Sequence, residues 1–584
     1  MHIKPRELPP NPSVLNTPSK VMERIYIARG IKQMEELDTR LHSLLPFDSL
    51  LGIEQACIRL EEALRGQQRI LIIGDFDADG ATSSALAVSA LRMMGGINIE
   101  FLVPNRFEFG YGLTPPIVEV ANRWHPDLII TVDNGMSSIE GVNRANELGI
   151  DVVITDHHLP AESLPNATAV VNPNQIGDSF KSKSIAGVGV IFYVMLALRR
   201  RLSNSGWFVS KGVPEPNMAY FLDLVALGTI ADVVGLDQNN RILVKQGIAR
   251  IRQGLCRPGI QALIEIAGKN AAFIKESDLG FSIAPRLNAA GRLDDMSLGI
   301  NCLLSDNLEK ARLFAKQLDD LNIERRKIEM EMKEQAMHDI DKLALRVDST
   351  DSPLPMALCL FDPSWHQGVI GILAGRLKEK YHRPVVAFAK ANDNELKGSL
   401  RSISGLNIRD VLAAVDRDHP GLIIKFGGHA MAAGLSLHLE SFSAFRDAFI
   451  HEVSQNIDAS LCEGEILSDG PLHADELQLS LANLIQESGP WGQQFPEPLF
   501  DNYFEILDQR IVGQHHLKLT LAHVDGGECV DAIAFQVDLK TWPNHRARYM
   551  HAAYRLGVNT YNGRTKLQLM IVAMKIVDCI PSYL

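Results

Sequence analysis

From Gly74 to Gly80 the chain reads Gly-Asp-Phe-Asp-Ala-Asp-Gly, placing Asp75, Asp77 and Asp79 in one short stretch. So much like charge in a confined space is unfavourable unless cations neutralise it. One small residue separates Asp77 from Asp79, so a tight turn can aim both at one metal cluster. Taken alone, the stretch also reads as a solvated acidic turn that caps a helix. Three further stretches argue for metal: Asp133 in VDNG, His157 in TDHH and Asp232 in GTIAD. Carboxylates with one imidazole and no Cys suit Mn²⁺ or Mg²⁺ rather than structural zinc.

Each of these residues follows an apolar element. Ile70–Ile73, Leu128–Val132 and Asp151–Thr155 are short and rich in β-branched residues, which reads as buried parallel strands. Asp232 leaves the apolar segment Phe221–Ala231. Helical segments near 81–94, 137–148 and 186–201 alternate with the strands, predicting a parallel sheet with crossover helices. Open α/β sheets bind ligands at the carboxyl ends of their strands, where the acidic turn falls. Convergence of four apolar elements on ligand-type residues favours a shared site.

The length, 584 residues, exceeds what one core supports and predicts two to four domains. A net charge of −12 carries no global sign of nucleic-acid binding, although a local basic channel can hold a strand inside an acidic protein. The seven Cys are scattered without a CxxC pair, which argues against zinc fingers and disulfides and for a reducing, cytoplasmic setting. No apolar segment opens the chain, so no secretory signal is expected. The apolar stretch Ile185–Leu198 falls short of the roughly 20 residues that span a bilayer, and Gly187 and Gly189 at its start suit a packed core helix. Two helical segments, around 31–45 and 53–64, are expected in the N-terminal arm.

From Ser305 to about Arg346 the pattern predicts one long helix, opened by an Asp306-Asn307-Leu308-Glu309 capping box, with an apolar stripe that includes Leu318, Met332, Ala336 and Ile340. The stripe is short and irregular, favouring a connector over a coiled-coil dimer. Asp348–Pro353 reads as a linker. A second α/β unit follows, with strands at 356–361 and 384–388 and a loop-to-helix passage at 365–376. Gly427 and Gly428, read as a helix start, would let a phosphate approach backbone N–H groups, and with Lys397, Arg401 and His429 they suggest a phosphate clamp. Beyond Leu461, short strands at regular spacing predict a small barrel that an OB-fold fits. The expected domains are 1–304 (catalytic α/β with an N-terminal arm), 305–347 (connector), 348–458 (second α/β) and 459–584 (OB-like).

The motifs GDFDADGAT, VDNG, TDHH and ALGTIADVV, in this order, resemble those of the DHH phosphoesterases. WHQGVIGI, KGSLRS and GGHAMAAG resemble the companion DHHA1 domain. With APRLNAAGR at 284–292, the connector and the C-terminal β-domain, nearly the whole chain resembles the RecJ family. That resemblance implies a processive 5′→3′ exonuclease on single-stranded DNA that uses two Mn²⁺ or Mg²⁺ ions and releases 5′-mononucleotides. It implies a role in recombination and repair, with a single-strand-binding protein and a RecQ-type helicase as partners, as a monomer and without a membrane. Polarity and pathway rest on the resemblance alone.

Joined to the residues, the resemblance implies that Asp77 and Asp133 hold one ion, and Asp79, Asp133, His157 and Asp232 the other. Such ions stand about 3.5–4 Å apart and lower the pKa of a shared water. His158 is the candidate for contacting the phosphate or protonating the leaving 3′-oxygen, and Asp75 is an outer ligand or orients one. Arg106, Arg286 and Ser399 with Arg401 are candidates for gripping a terminal phosphate, since the planar fork of Arg holds two phosphate oxygens. Internal ion pairs are the alternative for these arginines. Residues 461–584 are expected to add affinity without chemistry, so a truncation after Ser460 should keep metal-dependent cleavage at high substrate concentration. Two rival readings are a DHH oligoribonuclease or cyclic-dinucleotide phosphodiesterase, and a non-enzymatic single-strand scaffold. The extra C-terminal region argues against the first, and the complete Asp/His set against the second.

Overall fold

The computed structural model describes residues 2–10, 14–105, 108–160, 163–345, 354–561 and 563–580. It forms two compact units. The smaller holds Asp319–Glu465 and Arg292–Asp294, and the larger holds Ile3–Gly291, Asp295–Leu318 and Ile466–Leu584.

The larger unit begins with helices α1 (Lys20–Ile27) and α2 (Ile53–Arg65). The expected helix over 31–45 is not formed, and short 3-10 turns at Met34–Leu37 and Leu41–Ser43 take its place. The physical reason is local: the Asp38 carboxylate accepts from the Arg40 backbone and guanidinium and from the Ser43 hydroxyl, bonds that compete with a helical ladder. Then come β1 (Ile70–Gly74), α3 (Ala78–Met93), β2 (Ile99–Leu102), α4 (Pro115–Asn122), β3 (Leu128–Val132), α5 (Ile139–Glu147), β4 (Asp151–Thr155) and β5 (Ala169–Val171). All five strands are parallel, in the order β2-β1-β3-β4-β5. Every residue of β1 and β3 is buried, as expected of strands covered on both faces.

This strand order has its switch point between β1 and β3, where such sheets open a crevice at their carboxyl ends. The register aligns Gly74 with Val132 and Val132 with Thr155. Asp75, Asp133 and Asp156 are therefore the next residues on three adjacent strands. The apolar stretch near Leu198 is buried in helix α6 (Gly187–Asn204), and among the described residues no helix is long and apolar enough to cross a membrane. Helix α7 (Leu222–Ala231), nearly all buried, ends at Asp232, and α8 (Ala284–Leu293) follows a π-helical turn at Leu279–Ile283.

Helix α9 (Leu308–Leu345) runs for 38 residues. Its cap is Asn307 rather than Asp306: the Asn307 side-chain oxygen accepts from the backbone of Glu309 at 2.8 Å and of Lys310 at 3.2 Å. Ala311, Ala315 and Leu318 are buried near its start, and Met332, Ala336 and Ile340 join the core of the smaller unit. The linker at 348–353 lies outside the described residues.

In the smaller unit, β6 (Leu358–Phe361), α10 (Ile370–Tyr381), β7 (Val385–Lys390), β8 (Glu395–Arg401), β9 (Lys425–Gly428) and β10 (Ala432–His438) build a mixed sheet ordered β9-β10-β8-β7-β6. No helix starts at Gly427 and Gly428, contrary to the sequence expectation. They end a strand that pairs back on itself through β10, with Gly428 at φ 143 beside the turn. The buried apolar residues Ala433, Leu435 and Leu437 fall at every second position of β10, which is strand periodicity, with Ser436 buried on the other face.

The C-terminal strands β11 (Phe500–Val512), β12 (His516–His523), β13 (Val530–Ala534), β14 (Tyr549–Tyr561) and β15 (Arg564–Val577) each pair with two neighbours and close a ring. The segment ahead of them is built into the core of the larger unit. Trp491 and Phe495 stack at 5.1 Å and both rings pack on Tyr26. The backbone N–H of Leu236, four residues past Asp232, donates to the Gln493 carbonyl at 2.8 Å.

Candidate metal centre

Five of the expected ligands, Asp75, Asp77, Asp79, Asp133 and His157, leave the carboxyl ends of β1, β3 and β4, and Asp232 caps α7. The structure brings their atoms into three overlapping groups: Asp75, Asp77 and Asp133; Asp79, His157 and Asp232; and Asp133, His157 and His158, with the atoms of each group within 4.8 Å of one another. His157 Nε2 stands 3.1 Å from an Asp133 oxygen and 3.5 Å from an Asp232 oxygen. Asp133 occupies the left-handed region at φ 63, a conformation that Asp tolerates and that turns its carboxylate across the end of β3.

Backbone amides shape the acidic turn. Asp77 caps α3 by accepting from the N–H of Asp79 at 2.9 Å and of Gly80 at 3.0 Å. Asp79 is almost wholly buried, and its two oxygens accept from the N–H groups of Gly187 at 2.7 Å and Val188 at 3.0 Å, the first turn of α6. A helix N-terminus suits a carboxylate there. Helix α8 holds the turn from the other side. The Asn288 side chain accepts from Ala78 N–H at 2.8 Å, and Gly291 packs so closely that a Cβ would stand 1.8 Å from the Phe76 carbonyl oxygen.

Burial and mutual repulsion push these carboxyls up: Asp79 to about 7, and Asp133 and Asp232 well above the usual range. One oxygen of Asp133 is buried and accepts no hydrogen bond. A buried acidic cluster with unfilled acceptor capacity matches hard divalent cations, so the donor set fits such ions.

Two residues not foreseen as site members complete the arrangement. Asp156, wholly buried, accepts from the N–H of Met136, His157 and His158, and its oxygen lies 2.7 Å from His158 Nδ1. Burial alone would lower the His158 pKa, but the bond and charge of Asp156 raise it to about 9. Tyr111, between Gly110 and Gly112 at φ 79 and 74, donates to the Asp133 carbonyl at 3.2 Å and lies 3.2 Å from His158 Nδ1. Asp156 was legible in the TDHH motif itself. The flanking glycines were the only trace of Tyr111.

The expected phosphate-binding residues are divided between the two units, Arg286 in the larger and Ser399, Arg401, Gly427, Gly428 and His429 in the smaller. Arg106 lies outside the described residues. Arg286 is buried in the larger unit and donates to the Ser282 carbonyl. In the smaller unit, Ser399, Gly434 and Gly427 sit side by side across β8, β10 and β9. The Arg401 guanidinium donates to the Ser399 hydroxyl at 3.3 Å and the Leu400 carbonyl at 2.7 Å, and among the described residues no carboxylate pairs with it. Gly371, at the start of α10, leaves room for the pair: a Cβ there would stand 3.0 Å from Ser399 Oγ and 3.2 Å from Arg401 Nη2. His429 is exposed on the β9–β10 turn.

Three family models match segments of the chain. Residues 69–229 match the DHH family N-terminal domain, 355–455 the DHHA1 domain and 468–573 the RecJ OB domain. The single-stranded-DNA-specific exonuclease RecJ of Dickeya dadantii is 53% identical over 94% of this chain and 95% of its own length. That of Escherichia coli is 51% identical over 97% and 96%. The crystal structure of RecJ from Thermus thermophilus in complex with Mn²⁺ superposes with a TM-score of 0.77 at 30% identity, covering 96% of this chain and 76% of that one. A Mg²⁺ complex of the same protein gives a TM-score of 0.72. The chain belongs to the RecJ family of single-stranded-DNA-specific exonucleases.

Proposed function

We propose that the centre hydrolyses the terminal phosphodiester of single-stranded DNA from the 5′ end and releases 5′-mononucleotides. The observation that carries metal-dependent hydrolysis is the overlap of the ligand groups, in which Asp133 joins Asp75 and Asp77 on one side and His157 on the other, while the 5′ polarity and the product rest on the family likeness. Asp75, Asp77, Asp79, Asp133, His157 and Asp232 would hold two Mn²⁺ or Mg²⁺ ions, which lower the pKa of bound water and neutralise charge on the phosphate. Asp133, which belongs to two of the ligand groups, would contribute to both ions. His158, held at Nδ1 by Asp156, contacts the phosphate or gives the leaving 3′-oxygen its proton. Ser399 and Arg401 make an anion cradle suited to a terminal phosphate, which carries more charge than an internal linkage. A monomer acting in recombination and repair beside a single-strand-binding protein and a RecQ-type helicase is carried by the family likeness alone, and the scattered cysteines favour a cytoplasmic setting for it.

The test is Asp133→Ala, assayed on 5′-labelled single strands at saturating Mn²⁺ and with EDTA. Loss of cleavage in a folded protein is expected. Substantial cleavage would remove Asp133 from the bridging role.

A further inference from the structure

Beside Asp232, the larger unit opens a cavity of about 390 Å³ that the metal chemistry does not use. Val233, Phe281, Trp491 and Leu556 form its apolar lining, and Lys275 and Arg555 stand at the same opening. Two of these residues are displayed in ways that folding alone does not favour. Phe281 is 81% exposed, carried outward on the π-helical turn Leu279–Ile283, a backbone form that recurs at functional sites. Val233 is 64% exposed and held at φ 61, an outlying conformation for a β-branched residue. Such strain persists only where the surroundings impose it. Here the bonds Asp232 N–H to Gly228, Leu236 N–H to Gln493 and Asn240 to the Gly235 carbonyl pin the loop on both sides.

The cavity is therefore a largely apolar slot, with Glu276 and Glu497 also in its lining, that carries the exposed ring of Phe281 and begins one residue from a metal-ligand position. Its wall is firm: the Trp491 ring stacks on Phe495 and donates to the Ile485 carbonyl. The rim is of mixed charge, because Arg555 pairs with Glu497 at 3.3 Å and Lys275 bonds Gln486. That favours the flat face of a base over a densely charged ligand. Base–aromatic stacking is tolerant of sequence, which suits an enzyme that must pass every base in turn.

We propose that this cavity receives a nucleobase of the strand still to be cleaved, stacked on Phe281, and so holds the strand in register beside Asp232. The proposal rests on the single-strand reading of the metal centre.

The test measures binding of the full-length protein to single strands by fluorescence anisotropy without divalent ions, with one abasic site moved along the strand. The wild-type protein should lose about tenfold in affinity at one position, the range of a single stacked base. In Phe281→Ala the penalty at that position should disappear, and Phe281→Trp should restore it. Wild-type binding that is indifferent to the abasic position, or a penalty that persists in Phe281→Ala, would overturn the slot while leaving the single-strand reading intact. A wild-type protein that bound no single strand at all would overturn both.

Discussion

Gly187 lies so close to Asp133 that a Cβ added to it would stand 2.7 Å from the Asp133 side chain. The same glycine donates its N–H to Asp79, so one position on α6 sets two carboxylates of the metal centre. Gly187→Ala leaves helix propensity intact or improved, and its cost falls on the site. Displacement of Asp133 should lower Mn²⁺ affinity and kcat/KM by about 10–100-fold, the range for residues that orient ligands. Calorimetric Mn²⁺ titration beside thermal melting checks this, and an unchanged affinity would refute it.

Asp156→Asn tests the positioning of His158. The side chain keeps its shape and loses the charge that raises the His158 pKa against the pull of burial. A group acting as an acid works below its pKa, so its contribution is lost as pH rises through that value. The alkaline limb of the activity profile should therefore move to lower pH in the variant. A profile that falls in height without moving would leave Asp156 a purely structural role.

Arg401→Ala should weaken cleavage of 5′-phosphorylated strands more than of 5′-hydroxyl strands, by about 1.5–3 kcal/mol for a lost charge-assisted hydrogen bond. The comparison is of kcat/KM on the two substrates. Equal losses would take Arg401 out of end recognition.

Truncation after Ser460 was expected to spare the chemistry, and the structure points the other way. Such a cut removes the Gln493 carbonyl that anchors the loop after Asp232, and the rings of Trp491 and Phe495 that cover Tyr26. It should lower the melting temperature and cleavage together. A deletion beginning at Phe500 keeps those contacts, and should retain more metal-dependent cleavage than the shorter chain at high substrate concentration.

What the sequence determined by itself is the chemistry of the ligands and the order of the elements that deliver them. Continuous β-branched runs bury on both faces only in a covered parallel sheet, and acidic residues that end such runs must face the crevice. Asp75, Asp77, Asp79, Asp133 and His157 were legible as candidates on those grounds and Asp232 from the apolar helical segment before it, while their assignment to two ions rested on the family resemblance. Tertiary structure decided the relations that pattern cannot encode. The register that sets Gly74, Val132 and Thr155 in one row arises from pairing between segments far apart in the chain. The amides of Gly187 and Val188 reach Asp79 across 108 and 109 residues, and backbone donors leave no side-chain signature. The glycines at 427 and 428 misled because Gly permits both a helix start and a hairpin, and cross-strand pairing with β10 chose the hairpin. The slot at Phe281 was invisible in the sequence, since its walls come from four stretches that only the folded chain brings together.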